Sequence, residues 1–318
     1  MTLPAVTTST QVPAELGADL AAAVDLAKAE KAAATRRAYG TDFRLFRAWC
    51  DAKGVSALPA GAETVAAYLA AEARTARPST IGRRVAAIRY AHKLAGLNTP
   101  TDAEAVKATV RGIRRTLGTA KVKKAPAVAP KLIAMTSHAT NKLAGLRDRA
   151  LLLVGFGGAF RRSELVALNV EDVSETDEGL KALIRRSKAD QEGEGRTVPI
   201  ARGDIACPAK ALRAWLEAAG ITTGPIFRPI NKAGTVSTDR LTDRSVANIV
   251  KYYAKRAGFD EATFSGHSLR AGFLTSAAGK GKSLFKLMDV SGHRSVDTLR
   301  GYVRDAELFK DHAGAGLL

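Results

Sequence analysis

The chain has 318 residues, 46% of them hydrophobic, a sequence pI near 10.1 and a formal net charge of +18. That length can bury at least one sizeable core and favours two domains over one, while the charge makes a polyanion the first partner to consider. Cys50 and Cys207 stand without a CxxC or Cys/His cluster, so they read as buried thiols in a reducing compartment and argue against a metal site.

No apolar run is long enough to span a bilayer, and the N-terminus lacks a basic segment followed by an apolar core. A cytoplasmic location with no membrane partner is therefore expected. Residues 1–126 hold 20 Lys and Arg against 10 Asp and Glu, and the remainder holds 29 against 21. Both parts are basic, as in a protein that grips a duplex from two sides. A generic basic protein, such as a ribosome-associated factor, shares that charge.

Residues 1–13 are polar and Pro/Thr-rich and are expected to be disordered. Residues 14–117 read as a helical DNA-binding domain. Leu16, Leu20, Val24 and Leu26 have helical spacing, and Tyr39, Phe43, Phe46 and Trp49 follow at steps of four and three. That second stripe faces a core and leaves Arg36, Arg37, Arg44 and Arg47 for solvent or phosphate. Further helices are predicted over Glu63–Ala73, over Ser79–Leu94 with Ser79 or Thr80 as cap, and over Asp102–Leu117. Arg83, Arg84, Arg89 and Lys93 fill out the basic surface of the middle one.

Residues 118–130 read as a linker whose Lys121, Lys123 and Lys124 follow a phosphate backbone. Residues 131–318 then form the second domain. An apolar helix over Leu143–Phe156 ends at Gly157-Gly158. Leu180–Arg186 and Thr197–Ile200 make a hairpin with its turn in Glu-Gly-Glu-Gly. Cys207-Pro208 opens a helix running to Gly220, and helices are predicted over Leu241–Gly258, Ser268–Ala278, Leu284–Val290 and Val296–Val303.

Within this domain Arg161, Lys188, His267, Arg270, His293 and Tyr302 form an ordered set suited to a phosphodiester. Tyrosine is a usable nucleophile, and the cations suit an anionic centre. Each alone has a plain structural explanation. Arg161 with Glu164 three residues on is a common solvated pair, most hairpin lysines serve solubility, and a loop histidine often caps a carbonyl. His267 and Arg270, three apart at a helix start, converge on one anion, and His293 repeats the Ser-Gly-His context. Gly281-Lys282-Ser283 is not a phosphate-binding loop, since Ser276 stands where its first glycine belongs. Arg202-Gly203-Asp204 is a chance tripeptide.

The segments AFRRSEL, RRSKADQEGEGR, SGHSLR and SGHRSVDTLRGY resemble, in order and spacing, the signature boxes of the tyrosine recombinase or phage integrase family. The resemblance covers residues 131–303 and extends more loosely N-terminally. It implies a fold that is mainly α with a small antiparallel β-sheet, in a two-domain architecture of a helical core-binding domain and a mixed α/β catalytic domain. It implies that Arg161 and Arg270 clamp the scissile phosphate, with Glu164 supporting Arg161. Lys188 would protonate the leaving 5′-hydroxyl, His267 assist proton transfer at the nucleophile, His293 bond to the phosphate and Tyr302 form a 3′-phosphotyrosine.

No cofactor and no metal are implied, because the tyrosyl ester conserves the bond energy and the cationic side chains stand in for a metal. The implied partners are double-stranded DNA with specific target sites and a homo-tetramer on that DNA, with room for an accessory protein. Leu308, Phe309, Leu317 and Leu318 in the tail fit docking into a neighbouring protomer or folding back on their own domain. A type IB topoisomerase-like enzyme and a non-catalytic DNA-binding relative are the alternative readings.

Overall fold

The stripe Tyr39, Phe43, Phe46 and Trp49 lies on helix α1 (Ala33–Ala52), with Phe46 fully buried and the other three half-buried. The computed structural model describes Leu16, Asp19, Ala22, Ala23, Leu26 and residues 30–120, 124–187, 190 and 193–306, in two units comprising residues 1–121 and 122–318. The expected disordered segment 1–13, Leu20 and Val24, Lys121, Lys123, Lys188 and the tail from residue 307 lie outside the described residues.

In the first unit α1 packs with α2 (Ala62–Glu72) and α3 (Pro78–Leu94), and both of these pack with α4 (Glu104–Leu117). Their shared core contains Phe46, Cys50, Val65, Tyr68, Leu69, Ile81, Ile88, Val106 and Ile113. Two helix starts differ from expectation. Pro78 occupies the first turn of α3 with Arg77 as N-cap, because proline pre-sets the helical φ and keeps its predecessor extended. Ser79 and Thr80 therefore lie inside the helix. The helix expected from Asp102 begins at Glu104, since Pro100–Asp102 is a 3₁₀ turn closed by Thr99, whose hydroxyl accepts the Thr101 N–H at 3.3 Å.

The second unit is built around α6 (Leu143–Gly157), whose Leu151, Leu152, Leu153 and Val154 are buried. It packs on α8 (Pro208–Ala219), α10 (His267–Gly279) and α5 (Ala129–Ser137). The short α7 (Arg162–Ala167) lies against α9 (Asp243–Arg256). Beside them is a three-stranded antiparallel sheet in the order β1 (Val173–Thr176), β2 (Gly179–Ile184), β3 (Arg196–Ala201). Leu180 pairs with Ile200 and Ala182 with Val198, and all four are buried, as the period of two in a half-buried strand requires.

Strand β1 was not expected from the sequence. Its residues VSET are polar and leave no alternating pattern, and pairing with β2 alone defines it. Strands β2 and β3 pair antiparallel as the expected hairpin. In their connection the Asp190 carboxylate accepts the N–H groups of Gly193, Glu194 and Gly195 at 3.0, 3.1 and 2.9 Å. Gly193 and Gly195 sit at φ 83° and 73°, a left-handed backbone that glycine adopts without steric cost.

The second half of the expected linker 118–130 belongs to this fold. Ala125 N–H donates to the Thr263 carbonyl at 2.8 Å, buried Ala127 donates to Ser268 at 2.9 Å, and α5 begins at Ala129. A Cβ on Gly272 would lie 2.0 Å from the Ala127 carbonyl oxygen, so α10 and this segment meet backbone to backbone. Cys50 is buried as expected, whereas Cys207 is only half-buried at the start of α8.

Helices α11 (Leu284–Ser291) and α12 (Val296–Ala306) close the chain against α10. Leu274, Ala278, Leu287 and Leu299 make a small separate core, with Tyr302 and Val303 packed at its edge. This cluster sets where Tyr302 stands.

Candidate active site

Helix α6 ends at Gly157, and two residues later Ala159 is fully buried with φ 48°. A left-handed backbone at a residue with a Cβ costs about 1–2 kcal/mol. Here it turns the chain so that the Ala159 carbonyl accepts a hydrogen bond from Arg270 Nη1 at 2.7 Å. Arg161 follows as the N-cap of α7. Glu164, 2% exposed, accepts from the Arg161 backbone N–H at 3.0 Å and from its Nη1 at 2.5 Å. One carboxylate thus fixes both ends of the arginine.

Arg270 is 1% exposed and, among the described residues, has no carboxylate within ion-pair distance. Burial, then the charge of Arg161, brings its guanidinium down to about 10, so it stays protonated at neutral pH. A buried cation without a paired anion is costly. A cation so placed is able to receive an anion from outside.

The two Ser-Gly-His triplets do opposite things. Ser265 and Gly266 open α10, and the Ser265 hydroxyl accepts the His267 N–H at 3.2 Å. Ser291 and Gly292 end α11, with Gly292 left-handed at φ 64°. The Ser291 hydroxyl donates to the Leu287 carbonyl at 2.5 Å and lies 2.7 Å from His293 Nδ1. With the serine proton committed, Nδ1–H is the donor of that second bond. Arg270 Nη2 lies 3.2 Å from Nδ1 and 3.1 Å from Nε2, and with Nδ1 protonated Nε2 is the ring nitrogen able to accept from it.

Burial first, then Arg270 and Arg161, pushes His293 down to about 4. His267 is lowered by burial and then by Arg270, Arg161 and Arg162. Both rings are neutral near pH 7. His267 Nε2 lies 2.9 Å from the Tyr302 hydroxyl. A neutral imidazole at this distance is able to accept a proton from a phenol.

Arg161, Glu164, His267, Arg270, His293 and Tyr302 are therefore brought together, whereas Lys188 lies outside the described residues. The loop that carries Lys188 starts at Arg185, which pairs with buried Asp172 at 2.6 Å. Arg196, where β3 begins, was not singled out by sequence reasoning although it closes the RRSKADQEGEGR segment. Its Nη1 donates to the Val290 carbonyl at 2.9 Å, and its Nη2 lies 3.8 Å from Glu164 Oε2.

The basic residues expected to meet DNA divide. Arg36, Arg37 and Arg44 are exposed on α1. Arg83 binds buried Asp42 through Nε at 2.6 Å and Nη2 at 3.1 Å, and Arg89 bonds Thr101 at 3.0 Å and pairs with Asp102. Arg84 departs from the exposed basic surface expected of α3. It is 13% exposed, paired with Glu72, with its guanidinium over the Tyr68 ring. The i, i+3 pattern does not reveal that this position faces the neighbouring helix. Lys124 Nζ donates to the Ala262 carbonyl at 2.7 Å.

The phage integrase family profile matches residues 126–308. The chain is 40% identical over 289 residues to an integrase/recombinase xerD homolog of Selenomonas ruminantium, covering 89% of this chain and 85% of the relative. It is 25% identical over 284 residues to the recombinase cre of Escherichia phage P1, covering 83% and 82%. Among solved structures, a lambda integrase (75–356) dimer bound to a COC′ core site superposes with a TM-score of 0.60 at 17% identity, over 88% of this chain and 92% of that one. The XerH recombinase in its post-cleavage complex with palindromic difH superposes with a TM-score of 0.59 at 16% identity, over 81% and 73%. With the family profile spanning the whole cluster from Arg161 to Tyr302, the chain belongs to the phage integrase family, the tyrosine recombinases that break and rejoin DNA strands.

Proposed function

We propose that this chain is a site-specific recombinase that cleaves and rejoins duplex DNA through a 3′-phosphotyrosine and a four-way junction. The observation that carries the reading is the Tyr302 hydroxyl 2.9 Å from a neutral His267, beside the buried, protonated Arg270. Tyr302 Oη attacks the scissile phosphorus and gives its proton to His267 Nε2. The bond from phosphorus to the 5′ oxygen breaks, and Lys188 supplies the proton that oxygen takes up. Arg161 and Arg270 bind the non-bridging oxygens, where charge grows in the transition state and fixed donors act most strongly. Resealing is the reverse, with a 5′-hydroxyl attacking the phosphotyrosine.

Arg36, Arg37 and Arg44 make phosphate contacts from the N-terminal unit, joined by Lys121, Lys123 and Lys124 from the connecting segment, and by Arg83 and Arg89 through their outward edges. Four protomers hold two duplexes, and the tail beyond residue 306 links neighbours. A suicide duplex, nicked beside the cleavage point and carrying a sequence the protein selects from a random library, is expected to trap a covalent adduct. Peptide mapping should place it on Tyr302 with the DNA joined through its 3′ phosphate. An adduct elsewhere, or none, rejects the reading.

A further inference from the structure

Arg162 follows Arg161 directly and opens α7, and Gly266 directly precedes His267 as the N-cap of α10. These two neighbours touch. A Cβ built on Gly266 would lie 2.1 Å from Arg162 Cδ, 2.4 Å from its Cγ and 3.4 Å from its Nε, the three atoms nearest to it. The aliphatic stem of Arg162 therefore lies across the Gly266 backbone, in the space a side chain there would take. The backbone angles of Gly266 are those of a right-handed helix, open to any residue with a Cβ. It is the stem, and not the turn of the chain, that calls for glycine at this position.

The far end of the side chain reaches a third element. Arg162 Nη2 lies 3.7 Å from Asp243 Oδ2 in the first turn of α9, the two side chains being 42% and 52% exposed. An exposed pair at that distance restrains a guanidinium weakly, so packing on the buried Gly266 is the stronger constraint. One side chain thus runs from α7 over the start of α10 to α9. Its charge also stands near the imidazole. His267 faces Arg161 and Arg162 from the start of α7, Arg270 from its own helix, Tyr302 from α12 and His293 beyond α11. Burial lowers the His267 pKa most, followed by Arg270, Arg161 and Arg162.

We propose that Arg162 is a positioning residue for His267, its stem setting the backbone of the proton acceptor against that of Arg161 so that base and phosphate clamp keep a fixed relation. The proposal rests on the recombinase reading above. In it Arg162 touches neither the scissile phosphate nor the attacking oxygen. Stem and charge are separable, since methionine keeps an unbranched stem over Gly266 without the cation, whereas alanine removes both. Taking away the cation favours the charged ring and raises the His267 pKa. Only the neutral ring accepts the proton of Tyr302, so on lowering the pH cleavage must then be lost at a higher pH than in the parent.

The test is single-turnover cleavage of the suicide duplex as a function of pH by Arg162→Ala, Arg162→Met, Gly266→Ala and the double variant Gly266→Ala/Arg162→Ala. Duplex affinity and the thermal midpoint are measured alongside. A displacement of about 1 Å is worth about 100-fold in rate, so Arg162→Ala should cleave about 100-fold more slowly. Gly266→Ala, whose methyl must push the stem aside, should lose a similar factor. The double variant should be far less impaired than the product of the two defects, because the methyl then takes space the stem has left. Arg162→Met should recover most of the rate at its optimum, with the acid limb of its profile moved to higher pH. Multiplicative defects, Arg162→Ala cleaving as fast as the parent, or an acid limb that stays in place in Arg162→Met each overturn the proposal. Arg162→Met as slow as Arg162→Ala, with weaker duplex binding and a shallower salt slope, overturns it in favour of a direct phosphate contact. If Gly266→Ala does not fold, the two Arg162 variants decide the matter, since they change a side chain that is exposed. A parent protein that leaves no adduct at all rejects the recombinase reading itself, and is told apart from failed positioning because the parent alone shows it.

Discussion

His267 Nε2 and the Tyr302 hydroxyl lie 2.9 Å apart although 35 residues separate them in the chain. Helix α10 supplies the first and α12 the second, and the apolar cluster of Leu274, Leu287 and Leu299 holds the two helices together. The contact is formed in the protein alone, as the proposed proton transfer from Tyr302 to His267 requires. His267→Gln is expected to slow adduct formation by about 100- to 10,000-fold, the range of a general base, while Tyr302→Phe abolishes it and leaves duplex affinity in place. Rapid-quench cleavage and gel-shift titration check both, and a His267→Gln protein with the parent's cleavage rate removes the histidine from this role.

His293 is held near 4 in the free protein by burial and by Arg270 and Arg161. A phosphate placed against Arg270 favours the charged ring and raises that value. NMR titration of the free protein should show His293 neutral down to about pH 4, and duplex binding near pH 5 should take up a proton, seen as a dependence of binding enthalpy on buffer ionisation heat. Binding without proton uptake counts against contact between His293 and the phosphate.

The same depressed value bears on stability. The unfolded chain binds the proton at the ordinary histidine value near 6.5, so between about pH 6.5 and 4 the unfolded state holds more protons than the native one. Stability must rise with pH across that window and be lost as pH falls through it. His293→Gln is expected to flatten this part of the thermal-midpoint curve. An unchanged slope would show that burial of this ring does not govern it.

Asp190 gathers the loop beside Lys188 by accepting three backbone N–H groups, chiefly that of Gly195, which lowers its pKa. Asp190→Ala releases all three. Cleavage is expected to slow by at least about tenfold, through misplacement of the loop, with no change in thermal midpoint because the carboxylate is at the surface. Restored cleavage with a 5′-thio leaving group would place the defect in leaving-group protonation.

Arg83 and Arg36 are both basic and both on helix surfaces, and they are expected to behave differently. Arg83→Ala leaves the buried Asp42 carboxylate without its bidentate partner, costing about 1–3 kcal/mol of unfolding free energy. Arg36→Ala should change stability by no more than about 0.5 kcal/mol, and instead lower duplex affinity and reduce the salt slope by about 1. Urea unfolding and salt-dependent binding separate the two. The reverse pattern would exchange their roles.

Much of this protein is legible in one dimension. The aromatic stripe from Tyr39 to Trp49, the apolar α6 and the proline that opens α8 announce their elements because side-chain periodicity and proline geometry act within a few residues. The order of Arg161, Lys188, His267, Arg270, His293 and Tyr302 is likewise carried by the chain itself. What periodicity could not convey was how distant segments meet. Strand β1 exists through its pairing with β2, Arg84 turns inward because Glu72 and Tyr68 lie across from it, and Arg196 matters because the end of α11 comes to it. Two identical Ser-Gly-His triplets open one helix and end another, and the proton on His293 is assigned by a serine already committed to Leu287. Burial and hydrogen-bond partnership are properties of neighbours in space, and they alone convert a basic, histidine-bearing sequence into two arginines and two neutral imidazoles gathered around a tyrosine.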